Sequence, residues 1–479
     1  MNLLLLYINK LHNNIMKINI STIHKNIFTA ALFIFSVQAF TQTNPAITSW
    51  LQNTSIKGRH YVSGNSTPIT DTYTANVQSV QYSSNFSYVS TQGIPTYVTG
   101  PFLDGNPNQA GNQNAIFKFP LNPVQNTGTL ASTTGGNIGV FINGVALFDY
   151  RDGVSWKNST SSLCGGPIQP PCMGDGVWNR DAIVGERLGF DCSKGHPAGT
   201  NYHHHQSPSA FKLDLNVIST VCNLYDADGL YAIDSTVHSP LIGFAYDGFP
   251  IYGAYGFKNV DGTGGIVRMK SSFTLRNITT RTTYYTSTAT VTPGPAVSTT
   301  YPLGYFREDY QYNATSVATP DYLDIHNGRF CVTPEYPNGI YCYFATVTSN
   351  WNSAYPYVVG PTFYGTKVAT KVTSITEATT TYTPSSTTGL SNTVLNDIKV
   401  NIFPNPASDL IAVQINDLVK ENYDVILYDI IGKIVEKKTL YQGSTIVYFD
   451  TKTLYNGIYT ITLYNSEGKS YSKKISISK

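Results

Sequence analysis

From about Asn44 to Gly365 the apolar positions fall in short runs, some alternating with polar residues and some continuous, and each run is closed by Gly, Pro, Asn or Asp. The stretch Ile138 to Phe148, IGVFINGVALF, is representative. Two apolar arms flank Asn143-Gly144, a pair that predicts a type I′ hairpin because both residues tolerate positive φ. Asp247-Gly248 and Asn338-Gly339 repeat the punctuation. Sustained helical periodicity is scarce here, so an all-β domain over 44–365 is predicted. Two Thr-rich stretches stand apart: Thr279 to Thr300 is expected to be an exposed excursion, and Ala369 to Thr388 leads into a change of composition. Residues 366–395 are therefore expected to be a Thr/Ser-rich linker. After Asn396 the text becomes IKVNIFPNPASDLIAVQI, YDVILYDIIGKIV and GIYTITLYNSEGKSYSKKISISK, with turns at Pro404-Asn405-Pro406, Ile431-Gly432-Lys433 and Asn456-Gly457. A small immunoglobulin-like β-sandwich over 396–479 fits that spacing.

The N-terminus departs from the strand pattern. Lys17 and Lys25 precede an apolar run from Ile27 to Val37, and small residues follow around Ala39, as in a secretory signal peptide over 1–41. Met16 is an alternative start, since the stretch from Met16 makes an ordinary charged n-region whereas Met1 to Ile15 adds an unusual apolar prefix. The run is well short of the ~20 residues that a membrane-spanning helix needs, and no transmembrane segment is expected after its removal.

Composition supports an exported, strand-rich chain. Charged residues make up 13% of 479, while 35 Tyr and 39 Gly, with abundant Thr, Ser and Asn, carry the solubility that charge usually supplies. The net charge of +2 and the lack of a dense Lys/Arg cluster leave no footprint for nucleic acid. Export also changes the meaning of the six cysteines, because oxidising compartments favour disulfides. Spacing favours Cys164 with Cys172 across a Gly/Pro loop and Cys331 with Cys342 across an expected hairpin, which leaves Cys192 and Cys222.

The histidines are the candidate chemistry. Four of the nine lie in DCSKGHPAGTNYHHHQSP. If Tyr202 to His205 is extended, the two-residue period puts His203 and His205 on one face and Tyr202 and His204 on the other. His196, in a Gly-rich turn with Pro197, can fold back as a third ligand. Three imidazoles suit copper, zinc, iron or nickel without choosing among them. A packed, hydrogen-bonded histidine stack and direct ligand binding by the Tyr/His surface compete with that reading. Cys192 offers a thiolate for a blue-copper kind of site, although pairing with Cys222 is simpler. Asp247 is a candidate acceptor that orients a histidine from behind, and His238 a candidate fourth ligand. Asp191, Glu308, Asp309, Asp321 and Asp324 supply carboxylates, but nothing in the sequence brings a pair together, and catalytic residues stay unassigned. No Gly-x-Ser-x-Gly elbow, His-Glu-x-x-His helix or phosphate-binding Gly loop is present.

Two resemblances follow from these residues. The Phe-Pro-Asn-Pro opening, the Gly-Ile-Tyr strand and the terminal Lys-Lys-Ile-Ser-Ile-Ser-Lys resemble the type A C-terminal sorting domains of Bacteroidota cargo of the type IX (Por) secretion system. That resemblance implies a partner, the type IX machinery, and release or attachment at the outer surface with removal of the domain. Gly195-His196-Pro197 ahead of Tyr202-His203-His204-His205 resembles the motif of the YHYH family, and FINGVALFD, SPLIGFAYDGFPIYGAYG, LDIHNGRFCVTPEYPNGIYCYF and YPYVVGPTFYG agree in order. His204 stands where the motif has Tyr. The family resemblance supplies no mechanism, so the expected function is a secreted or cell-surface protein that binds metal through its His cluster. The alternative is a metal-free surface module for glycans or other extracellular polymers.

Overall fold

The apolar runs pair as strands around a shared core, and Trp50 sits where two sheets meet, its ring centroid 5.4 Å from Phe119 and 5.3 Å from Phe244. The computed structural model describes residues 44–105, 108–166, 172–208, 222, 233–284, 289–314, 319–384, 400–415, 421–429, 433–465 and 470–479. The expected signal peptide and residues 385–395 of the expected linker lie outside them. Two compact units result, residues 1–382 and 383–479.

The first unit is built on an eight-stranded mixed sheet. Its order is Gly195–Ala198, Asn201–His204, Ala146–Phe148, Asn137–Phe141, Leu241–Ala245, Pro250–Tyr252, Ile340–Phe344, Gly328–Cys331. Two neighbours run parallel, Asn201–His204 with Ala146–Phe148 and Pro250–Tyr252 with Ile340–Phe344. A five-stranded antiparallel sheet, from Val77–Tyr82, Phe86–Thr91 and Ala115–Pro120 with two short outer strands, shares its core through Val80, Val89, Phe117 and Phe119.

Three details correct the expectations from sequence. At Asn143-Gly144 only the glycine takes a positive φ, +80°, and its N–H donates to Phe141 O, so the hairpin closes with a longer loop than a type I′ turn. Gly248, at +89°, donates to Ala245 O in the same way. The segment expected as a linker begins inside the first unit: Thr370–Val372 pairs with Ala115–Pro120 and Thr380–Tyr382 with Val77–Tyr82. Alternating Thr and apolar residues suit half-buried edge strands, which explains how a linker-like composition pairs. The described residues of Thr279 to Thr300 are largely surface, yet the stretch is anchored by buried Arg281, which chelates Asp309 and donates to Pro295 O.

Only Cys164 and Cys172 are joined by a disulfide among the described residues. Cys331 and Cys342 lie on paired strands, but Cys331 faces Ile340 and Cys342 faces Arg329 across the ladder. That register sets the two thiols diagonally, and they hydrogen-bond without a covalent link. Cys192 and Cys222 are likewise hydrogen-bonded neighbours.

The abundant tyrosine has a structural reason. Tyr202 donates to Asp191 (2.8 Å), Tyr343 to Asp247 (2.5 Å), Tyr357 to Asp181 (2.8 Å), Tyr341 to Asp324 (2.9 Å) and Tyr252 to Glu335 (2.8 Å). Each phenol buries a large apolar area while satisfying a carboxylate that would otherwise be orphaned.

The second unit packs the three-stranded sheet of Val400–Phe403, Leu410–Ile415 and Ile446–Asp450 with a four-stranded sheet. The latter comprises Tyr423–Tyr428, Ile434–Leu440, Gly457–Tyr464 and Ser470–Ile477. Ile411, Val413, Val425, Leu427, Phe449, Ile461 and Ile475 form its core, so the expected small β-sandwich is present.

Burial outweighs the hydrogen bonds at Asp181 and pushes its carboxyl up to about 7. The folded state thus holds this proton more tightly than the unfolded chain does. The contribution to stability is fully present below the ordinary carboxylate range and is lost as pH rises through about 7. The melting temperature is expected to rise when pH falls from about 8 to about 6, and Asp181→Asn should flatten that slope in a calorimetric pH series. An unchanged slope in the variant would assign the effect elsewhere.

Candidate metal centre

The hairpin Gly195–Ala198/Asn201–His204 brings the histidines together. Its register places His196 directly opposite His203, and Gly199, with φ +59°, makes the reversal. His205 follows two residues after His203 and joins the same face, so the imidazoles of His196, His203 and His205 offer ligand atoms within 4.8 Å of one another. All three are buried. Tyr202 and His204 occupy the opposite face, where His204 Nε2 meets the Tyr97 hydroxyl at 2.6 Å and its ring stands edge-on to Phe141. A Cβ on Gly195 would collide with the Tyr202 hydroxyl and the His204 ring, so that position requires glycine.

Backbone carbonyls orient the rings. His203 Nδ1 lies 2.9 Å from Asn201 O, and His205 Nδ1 lies 2.5 Å from Asp149 O. An Nδ1–H donated to a carbonyl leaves Nε2 of the neutral ring as a lone-pair acceptor. The two Nε2 atoms are 3.0 Å apart. Both nitrogens of His196 are buried without a hydrogen-bond partner. Phe148 stacks on His203 with centroids 3.8 Å apart, and Phe190 stands edge-on to His196.

A fourth group completes the cluster, and sequence reasoning missed it. Glu186 Oε2 lies 3.2 Å from His196 Nε2 and 3.0 Å from His205 Nε2. Two ligand atoms of a tetrahedral ion with bonds of about 2.05 Å lie roughly 3.3 Å apart, close to these separations. Glu186 follows the one-turn helix Ala182–Gly185, capped by the Asp181 side chain on Ile183 N–H. Glycine flanks it for a reason: at Gly185 a side chain would displace the Asp152–Arg180 pair, and at Gly189 it would strike Asp104. Nothing but that Gly-Glu-x-x-Gly spacing distinguished Glu186 from other surface glutamates.

The electrostatics pull the groups of the cluster in different directions. Burial, with its neighbours His205 and His196, takes the His203 imidazole well below its ordinary range. Burial opposes charge on Glu186, but the neighbouring His196 and His205 imidazoles prevail and hold its carboxyl well below the usual range. Burial lowers the His205 imidazole, and Glu186 more than reverses that. Behind the strand, burial takes His204 down to about 3, so it is neutral.

Other candidates lie elsewhere. Among the described residues Asp247 orients no histidine: its carboxylate accepts the Tyr343 hydroxyl and the Gly365 and Phe249 N–H groups, capping the turn in which it lies. His238 Nδ1 donates to Ser239 O, and the ring packs against Tyr252 and Phe257. Cys192 pairs with Cys222 by hydrogen bond and is outside the cluster. Asp191 holds the hairpin turn through Ser193 and Gly195 N–H. Asp309 and Asp321 bind Arg281 and Lys270, and Glu308 accepts from Asn179. A cavity of about 670 Å³ opens over the histidines, and Glu186, Phe148 and Arg151 share its wall.

Fold, tail and cluster define an exported all-β protein with a cavity that ends on a buried histidine group. The chain belongs to the YHYH protein family, whose model matches residues 116–356. Residues 401–478 match the secretion system C-terminal sorting domain, the tail that delivers cargo of the type IX machinery to the cell surface or beyond. No helix among the described residues is long and apolar enough to cross a membrane. No curated protein matches the chain. Among solved structures it is similar to CopC from Methylosinus trichosporium OB3b, at 15% identity over 16% of this chain and 91% of that one, with a TM-score of 0.13. It is also similar to a superoxide reductase (neelaredoxin) from Ignicoccus hospitalis, at 13% identity over 17% and 78%, with a TM-score of 0.14. Overlaps this slight carry no argument about fold or function.

Gly195→Ala is expected to push Tyr202 and His204 aside and open the hairpin, at a cost of about 1–3 kcal/mol. Chemical denaturation checks it; a variant as stable as the wild type would mean that the rings behind the strand move freely.

Proposed function

We propose that this protein binds a transition metal, copper or zinc, at the cell surface through His196, His203 and His205, with Glu186 as the fourth donor. One observation carries the reading: the ligand nitrogens of three imidazoles lie within 4.8 Å of one another, a carboxylate oxygen lies 3.0–3.2 Å from two of them, and two of the rings have given their N–H groups to backbone carbonyls. Buried acceptors facing one another are costly unless a proton or a cation lies between them. Second supports are the orphaned nitrogens of His196 and the open cavity on the same face. The set of nitrogen and carboxylate donors, with no thiolate among them, suits zinc or copper(II) better than copper(I).

The thiol pairs Cys192/Cys222 and Cys331/Cys342 belong to the same proposal. Export brings them into an oxidising compartment, and each pair is already in contact, so oxidation to disulfides in the mature protein is the expected state. Mass spectrometry of secreted material with and without reduction counts them.

Tag-free protein from metal-replete medium is expected to contain near-stoichiometric copper or zinc by elemental analysis. His203→Ala with His205→Ala should abolish it, and Glu186→Ala should weaken it by about tenfold or more. Folded wild-type protein that refuses added copper and zinc defeats the proposal. A double variant that keeps its metal content while losing thermal stability would make the histidines a packed stack.

A further inference from the structure

We infer that the protein holds a second binding site, for a small carboxylate that also carries hydroxyls, in a cavity of about 230 Å³ where the two sheets of the first unit meet. It shares no wall residue with the cavity over the histidines and does not depend on the metal reading. Phe117 enters it from the five-stranded sheet, and Asn137, Ala146 and Asn201 enter it from the eight-stranded one. A volume below the roughly 300 Å³ at which small-molecule sites begin limits the ligand to about the size of one sugar ring.

The charge around this cavity has one sign. Lys371 is the only charged side chain on its wall among the described residues, and a second ammonium, Lys367, lies with Nζ 5.9 Å from the ring centroid of Tyr246, another wall residue. Lys371 Nζ donates to Gln113 O at 3.3 Å, and neither lysine has a carboxylate partner among the described residues. An anion in the cavity gains from both, whereas a cation is repelled by both.

A solvated ammonium by itself selects little, and the buried wall supplies the rest. Asn201 Nδ2 donates to Asn137 Oδ1 at 3.4 Å, and the Asn137 side chain hydrogen-bonds the Tyr246 phenol. With its oxygen engaged, the Asn137 amide meets the phenol through N–H, which leaves the Tyr246 O–H to donate outward. Tyr246 is only 6% exposed, and burial pushes its phenol up to about 12, so the proton stays in place. A hydroxyl donor and an ammonium suit a carboxylate, which only accepts. Acceptors are present too. Gln113 spends Nε2 on Gly111 O and Thr200 O, so its Oε1 remains without a partner among the described residues, as does Asn201 Oδ1. Those two oxygens call for hydroxyls on the same ligand. Gly93 preserves the arrangement, because a Cβ there would lie 2.8 Å from Gln113 Cγ and displace that amide.

Isothermal titration of the full chain with galacturonate, lactate, galactose and sulfate tests the site, with metal content measured on the same protein. One or both of the hydroxy carboxylates should bind at least about tenfold more tightly than galactose or sulfate. Lys371→Gln, at an exposed position, and Tyr246→Phe, which keeps the ring, should each weaken that binding about tenfold at unchanged metal content. Sulfate bound as tightly as the carboxylates would reduce the site to a general anion patch, and galactose bound as tightly would make it a neutral sugar site. Wild-type affinity in Lys371→Gln would put the carboxylate elsewhere. Each of those results, or no binding below about 10 mM, overturns the inference and leaves the metal reading standing. Protein that binds the carboxylate but takes up no metal overturns only the metal reading.

Discussion

The carbonyl of Asp149 is the point on which the histidine cluster turns. It accepts His205 Nδ1, and the side chain of the same residue grips Arg151. One residue between two strands thereby fixes the orientation of an imidazole at the base of the cavity and the arginine on its wall. Asn201 O does the same for His203. Backbone acceptors hold these rings more rigidly than side-chain acceptors do, because a backbone carbonyl has no rotamers to lose. The directions of the Nε2 lone pairs follow from the sheet.

Tyrosine and carboxylate solve a related problem throughout the first unit. The chain carries few charges, and many of its acidic groups are buried where water cannot solvate them. Phenols donate to Asp181, Asp191, Asp247, Asp324 and Glu335, so the core stays aromatic while its polar groups are satisfied. Most of these rings are consequently inside, which leaves little exposed tyrosine surface for a metal-free binding module near the cluster. Tyr202 is the clearest case: it supports the hairpin from behind, through Asp191, while its neighbours His203 and His205 face the cavity.

Much of the architecture was legible in the chain. Short apolar runs with Gly, Asn and Asp between them are strands, and they paired as such on both sides of the tail boundary. Periodicity also placed His203 and His205 on one face, and the Gly-rich turn allowed His196 to return, since both depend only on local geometry. The Thr-rich stretch after Ala369 was misjudged because edge strands tolerate compositions that linkers share. Asp247 was misplaced for a different reason: Asp-Gly marks a turn, but the partners of its carboxylate, Tyr343 and Gly365, come from distant parts of the chain.

The sequence by itself determined that this protein is exported, built of strands, carries a sorting domain, and gathers its histidines on one hairpin. Those properties reside in local patterns, two-residue alternation and contiguous motifs. Tertiary structure decided the rest. Glu186 meets His196 and His205 only because a one-turn helix packs beside the hairpin, and Asp149 reaches His205 across a separation of 56 residues. Such contacts depend on strand order, to which no local spacing in the chain corresponds, and they convert a histidine-rich segment into a candidate centre with four converging donors.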